Sequence, residues 1–250
     1  MKFMRVFAFV IVLSMLGFLF LNVSGLPTLY DPQAPASLHV SDRYIEKALE
    51  ETGTLNYVAA VLADYRGFDT LGETTVIFTA GLAAVTLLRS AQKRQKGFLP
   101  LTETSMDEQF GTVALDLGAR YLLFLIALFG FYVFIGGAEG NPGGGFQGGA
   151  VLAISVVISR IIYGEKASFN IMGDLALILA GMGTFIYALI GILTLLWGGN
   201  FLEYGVFPLM IPAAEKHAWG IDGIGVGVTL CVMATIIAIL DALARREGIE

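Results

Sequence analysis

Four charged side chains fall in the string Asp64-Tyr65-Arg66-Gly67-Phe68-Asp69-Thr70-Leu71-Gly72-Glu73, just before an apolar run. Two kinds of chemistry fit Asp64, Arg66, Asp69 and Glu73. Thr70 and Glu73 have the spacing of a capping box, and acids suit the positive end of a helix. On that reading the cluster starts a helix, and Arg66 pairs with Asp64 or Asp69. On the other reading the charges form an access or docking surface for an ion or a partner. A second candidate is Glu139 with the string Asn141-Pro142-Gly143-Gly144-Gly145-Phe146-Gln147-Gly148-Gly149. Consecutive glycines permit positive φ and a tight reversal, with Gly144 expected to need it. Gly148 and Gly149 allow close helix packing. Five glycines beside Pro142 and Phe146 point to another backbone or subunit coming near. The string lacks the Lys-Ser/Thr of a phosphate loop.

Two further acids stand beside or inside apolar stretches: Asp174, a turn inside its helix, and Asp222, at a helix start where it suits the dipole. Ionisable groups in such places are functional candidates by default. Asp116 and Arg120 have the i,i+4 spacing of a pair. A complete proton relay needs acids or lysines at mid-span in several helices, and that pattern is missing. The chain is therefore not expected to move ions alone. No nucleophile–base pair supports an enzyme. Cys231 is the sole cysteine, excludes a disulfide within the chain and reads as packing. With only His39 and His217 besides, no zinc, haem or iron–sulfur pattern is present, and no cofactor or metal is expected.

These residues sit in a chain of 250 residues that is 56% hydrophobic and 14% charged. Soluble domains carry roughly 25% charge, so lipid is the solvent for most of this chain. The formal net charge is −6, and no basic run is interleaved with aromatics, which argues against nucleic acid. Six apolar segments stand out: Val6–Val23, Thr74–Leu88, Tyr121–Gly137, Phe146–Tyr163, Ile171–Trp197 and Ile221–Leu240. Lipid forces each to satisfy its own backbone hydrogen bonds, which predicts an all-α, multi-pass protein with about six helices. The first run follows Lys2 and Arg5 like a signal peptide, but it is long for a signal core and is read as a retained helix. With the N-terminus inside, Arg43, Lys47, Arg66 and Lys216 fall outside, and the other eleven of the fifteen Lys and Arg fall inside. The positive-inside rule then places both termini in the cytoplasm. Between the first two spans, Ser41 reads as the N-cap of a short amphipathic helix at the outer surface. The basic-to-acidic segment Arg89–Asp116 is the main break. It divides a two-helix unit, 1–100, from a four-helix unit, 101–250.

The string 64–73 closely resembles a signature near the C-terminal end of the A subunit of Mrp-type multisubunit cation/proton antiporters. In hydrogenase relatives the same signature belongs to a small separate subunit. The string 142–149 resembles the signature of the Mrp B subunit. The two resemblances meet near residue 100 and cover nearly the whole chain. The fused order, with Gln147 after Phe146, is similar to the Mrp-derived modules of archaeal membrane-bound hydrogenase or sulfane-sulfur reductase complexes. The resemblance implies a non-catalytic subunit in the membrane arm of a respiratory-type complex in the cell membrane. Its implied partners are antiporter-like, C-like and small multi-helix subunits, a hydrogenase or sulfur-reductase module, lipid, and Na⁺ and H⁺. One position departs from the pattern: the B family often has His where this chain has Glu139.

Overall fold

The computed structural model describes residues 2–23, 25–94, 113–135, 140, 143–163, 167, 171 and 173–247, and no strand occurs among them. The proposed boundary near residue 100 lies outside the described residues, as do Glu139, Asn141 and Pro142. Helix α1 is Lys2–Val23. A π-helical turn, Ala36–Val40, leads into α2, Ser41–Thr52. A short α3, Tyr57–Ala60, and a second π-turn, Val61–Tyr65, precede α4, Gly67–Arg94. Then come α5 (Val113–Ile135), α6 (Gly145–Tyr163), α7 (Gly173–Leu196), a 3-10 turn (Tyr204–Val206) and α8 (Ala213–Glu247). Six of these helices, α1 and α4 to α8, are long and apolar enough to cross a membrane.

Several boundaries differ from the sequence expectation because polar residues extend helices beyond their apolar stretches. Helix α4 begins seven residues before Thr74, so Thr70 and Glu73 lie inside the helix and form no capping box. Helix α8 begins at Ala213, which puts Asp222 more than two turns inside rather than at the helix start. Asp174 falls in the first turn of α7 and not a turn further in. Ser41 is not an N-cap. The π-turn runs straight into α2, and the Ser41 hydroxyl donates back to the Ser37 carbonyl at 3.1 Å.

The chain divides into two compact units, Met1–Glu46 and Lys47–Glu250. In the first, every side chain of α1 from Val6 to Val23 is exposed, an apolar surface suited to lipid on all sides. In the second, α8 is the hub. Helices α4, α6 and α7 pack against it, and α5 joins chiefly through α6. The span of α8 is 56% buried, against 17% for those of α4 and α5. Small residues set this arrangement, as expected where lipid offers no hydrophobic drive between helices. A Cβ on Gly183 would stand 2.5 Å from both Gly227 O and Cys231 N, so α7 and α8 meet backbone to backbone. Cys231 is fully buried, as its apolar setting suggested.

At the end of the bundle where α4 finishes and α7 begins, charge links the helices. Arg89 pairs with Asp174 at 2.6 Å, joining α4 to α7. Arg160 on α6 pairs with Asp241 on α8 at 2.7 Å, and the second Asp241 oxygen accepts from the Gly173 N–H at 3.1 Å. The Arg120 guanidinium lies 5.6 Å from the Tyr163 ring centre, tying α5 to α6.

Candidate functional site

The opposite end holds the other polar features, and it is built around a break in one helix. Asn56 caps α3: its Oδ1 accepts from the N–H groups of Val58 and Ala59 at 3.0 and 3.2 Å. Its Nδ2 donates to Gly143 O at 3.1 Å, which fixes this segment to the glycine hairpin. The π-turn Val61–Tyr65 then interrupts the helical ladder, and α4 restarts at Gly67. Such a break disturbs the i→i−4 ladder, and backbone carbonyls there need partners. Three hydroxyls donate to carbonyls at or beside it. Thr70 donates to Leu62 O at 2.5 Å, Tyr204 to Ala63 O at 2.9 Å and Tyr187 to Gly67 O at 2.6 Å. Tyr187 and Tyr204 are both fully buried. Burial holds the Tyr204 hydroxyl well above the ordinary phenol range, with Tyr187 and the Asp64 carboxylate adding to the effect. Tyr204 therefore stays a neutral donor.

The charges of the 64–73 string separate. Asp64 does not pair with Arg66; its Oδ2 lies 2.5 Å from His217 Nδ1 on α8. Arg66 pairs with Asp69 at 2.5 Å on the exposed surface. Glu73, one turn further along α4, faces an open cavity of about 180 Å³ bordered by the start of α4, the end of α5, the glycine string and α8. Asp222 lines the same cavity, as do Gly143, Gly144, Gly145 and Phe146. The remaining walls are mainly apolar, from residues such as Leu62, Phe134 and Val228. Carboxylates from two helices on an apolar-walled space, with room for several waters, suit a small cation. Asp174 lies at the other end of the bundle and takes no part.

The hairpin glycines divide by role. Gly143 has φ +131, and a Cβ there would run into Val133, so a side chain is strained. Gly145 faces Gly225 O, which a Cβ would approach to 2.5 Å. Gly144, the position expected to need positive φ, does not have it, and a Cβ there would meet only Gln147 Oε1 at 3.6 Å. The close approach expected of Gly148 and Gly149 is present: they meet Phe134 on α5 and Thr229 on α8. Sequence reading missed Tyr187, Tyr204 and His217. The two tyrosines sit in apolar or loop surroundings with no motif. His217, set among Glu215, Lys216 and Trp219 just before an apolar run, was the one signal available.

An apolar helical bundle with a polar-edged cavity at one end defines a multi-pass membrane protein rather than a soluble domain. More narrowly, the chain belongs to the family of domains related to the MnhB subunit of Na⁺/H⁺ antiporters, whose model matches residues 114–238. Residues 30–100 match a second family, MbhE, a subunit of MBH. The chain is 28% identical over 138 residues to the B subunit of a Na⁺/H⁺ antiporter of Bacillus subtilis, covering 52% of this chain and 96% of that one. It is 30% identical over 140 residues to a putative antiporter subunit mnhB2 of Staphylococcus haemolyticus, covering 54% and 96%. Among solved structures it is similar to a chain of an archaeal membrane-bound sulfane sulfur reductase, a respiratory membrane complex. That similarity has a TM-score of 0.59, 30% identity, and coverage of 96% of this chain and 97% of the other.

Proposed function

We propose that this protein is a non-catalytic membrane subunit of a multisubunit cation/proton antiporter module within the membrane arm of a respiratory-type complex. The observation that carries this reading is the cavity, where the two signature strings, far apart in sequence, meet. Glu73 from one and Gly143–Phe146 from the other face the same space, which Asp222 also lines. Its carboxylates would form part of a path for Na⁺ and H⁺ shared with neighbouring subunits, and its glycine edge would dock one of them. Similarity over nearly the full length of a chain from the sulfane sulfur reductase favours a redox module as a partner. The Lys/Arg asymmetry supports cytoplasmic termini, with the cavity at the outer end.

Purification in mild detergent should recover antiporter-like and small multi-helix subunits with this chain. The chain reconstituted alone should not exchange Na⁺ for H⁺; robust exchange by the isolated subunit would make it a stand-alone transporter instead. In a Cys231→Ser background, Glu250→Cys should resist impermeant maleimide in intact cells, and labelling from outside would reverse the topology.

A further inference from the structure

His217 lies beside the cavity without lining it. Its contact with Asp64 joins residues 153 positions apart. The two side chains are 22% and 13% exposed, so the pair is largely withdrawn from water. The Tyr204 ring meets the imidazole edge-on at 5.8 Å between centroids, and the Tyr204 hydroxyl holds the carbonyl of Ala63, next to Asp64. On either side of the pair the chain becomes cavity wall: Leu62 and Ala63 before Asp64, and Ile221 and Asp222 one turn after His217. The titratable and charged groups around His217 are Asp64 on the π-turn, Tyr204 on the 3-10 turn, and Glu215 and Lys216 on its own helix. Tyr204 is neutral, Glu215 is exposed, and Lys216 Nζ donates to Gly205 O at 3.3 Å. Asp64 is the group whose attraction changes when His217 gains or loses a proton.

We propose that His217 is a positioning residue for the cavity: by pairing with Asp64 it fixes the π-turn that forms one wall, and its protonation makes that wall respond to pH at this end of the bundle. The link to ion handling rests on the ion-path reading above; the positioning itself does not. Imidazolium gives a charge-assisted bond, roughly twice as strong as the neutral kind. Histidine is the side chain whose charge ordinarily changes between about pH 5 and 8. The wall is therefore held more firmly when the imidazole is charged than when it is neutral.

The test uses the assembled complex with Leu62→Cys as a reporter in the Cys231→Ser background. Its maleimide labelling rate is measured from about pH 5.5 to about pH 8.5, spanning the histidine window. At each pH it is compared with the same reporter in His217→Gln, which keeps an N–H donor but no titrating charge. The ratio cancels the titration of the thiol itself. The expected result is labelling ~3- to 10-fold slower than in the Gln variant at the acid end, as the loss of one charge-assisted bond would give. The difference should shrink towards the alkaline end. Asp64→Asn should label as fast as His217→Gln on the acid side. A ratio that stays flat with pH overturns the proposal. Failure of both variants to assemble also overturns it, because the pair is then a folding element. A complex that shows the pH-dependent ratio but no Na⁺ dependence of flux supports the positioning role and removes the ion-path reading.

Discussion

The two ends of the Lys47–Glu250 bundle are held by different physics. At one, Arg89–Asp174, Arg160–Asp241 and Arg120 over Tyr163 link five helices through charge, and the Asp241 side chain is only 4% exposed. At the other, the joints are backbone contacts at glycine, hydroxyls on carbonyls at the helix break, and one partly buried Asp64–His217 pair beside an open cavity. A buried ion pair is costly to break because the surviving charge is left without compensation. Glycine contacts and single hydrogen bonds around a cavity leave space and polar groups available. The charged end is thus suited to holding the helices in place and the glycine end to accommodating an ion or a partner. Part of that stiffness is supplied by a residue, Asp241, that carries no recognisable motif.

Forcing a side chain into the glycine joint should have the largest effect. Gly145→Val should largely abolish accumulation of the complex, since its Cβ would meet the Gly225 carbonyl at 2.5 Å and rigid backbone cannot yield. Gly144→Val should be far milder, because the space there is open. Equal yields of the two in detergent extracts would mean that the joint adapts. At the charged end, Asp241→Ala should lower the thermal midpoint of the purified complex, at a cost of about 3 kcal/mol or more, because Arg160 and the Gly173 N–H both lose their partner. A melting curve close to that of the parent would show that the charged end is not what holds the bundle.

Glu73→Gln separates cavity chemistry from structure. The residue is exposed and makes no capping box, so complex yield should be unchanged while Na⁺-dependent flux in vesicles falls severalfold. Normal flux at normal yield would remove Glu73 from the path. Tyr204→Phe should cost about 1 kcal/mol through the lost bond to Ala63 O, without any dependence on pH below the phenol range. The smallest effect belongs to Arg66→Ala. The pair with Asp69 is about half exposed, so a change under about 1 kcal/mol in stability is expected. A larger loss in the assembled complex than in the isolated subunit would mark Arg66 as a docking contact.

Composition and apolar run lengths determined the membrane class and the six spans, because a lipid-exposed backbone has so few alternatives to a helix. The long strings 64–73 and 142–149 made the family legible, since they are contiguous and in order. Helix starts were misjudged at Gly67 and Ala213, where polar residues continue a helix that hydropathy alone truncates. Thr70 offered a capping pattern that the π-turn overrode: its hydroxyl is used on the carbonyl of Leu62 instead. The placing of Gly144 failed for a related reason. A run of glycines shows that the backbone can turn, but only packing against Val133 and Gly225 decides which of them must.

Solvent, element type and family are therefore legible in the residues alone. Which charges come together is set by the fold: Asp64 pairs with His217 rather than Arg66, Arg160 pairs with Asp241, and Glu73 and Asp222 line one cavity. Those partners lie on different helices, and their proximity depends on how α4, α6 and α7 seat on α8. That seating is set by close backbone contacts at glycines, which hydropathy and local spacing do not encode.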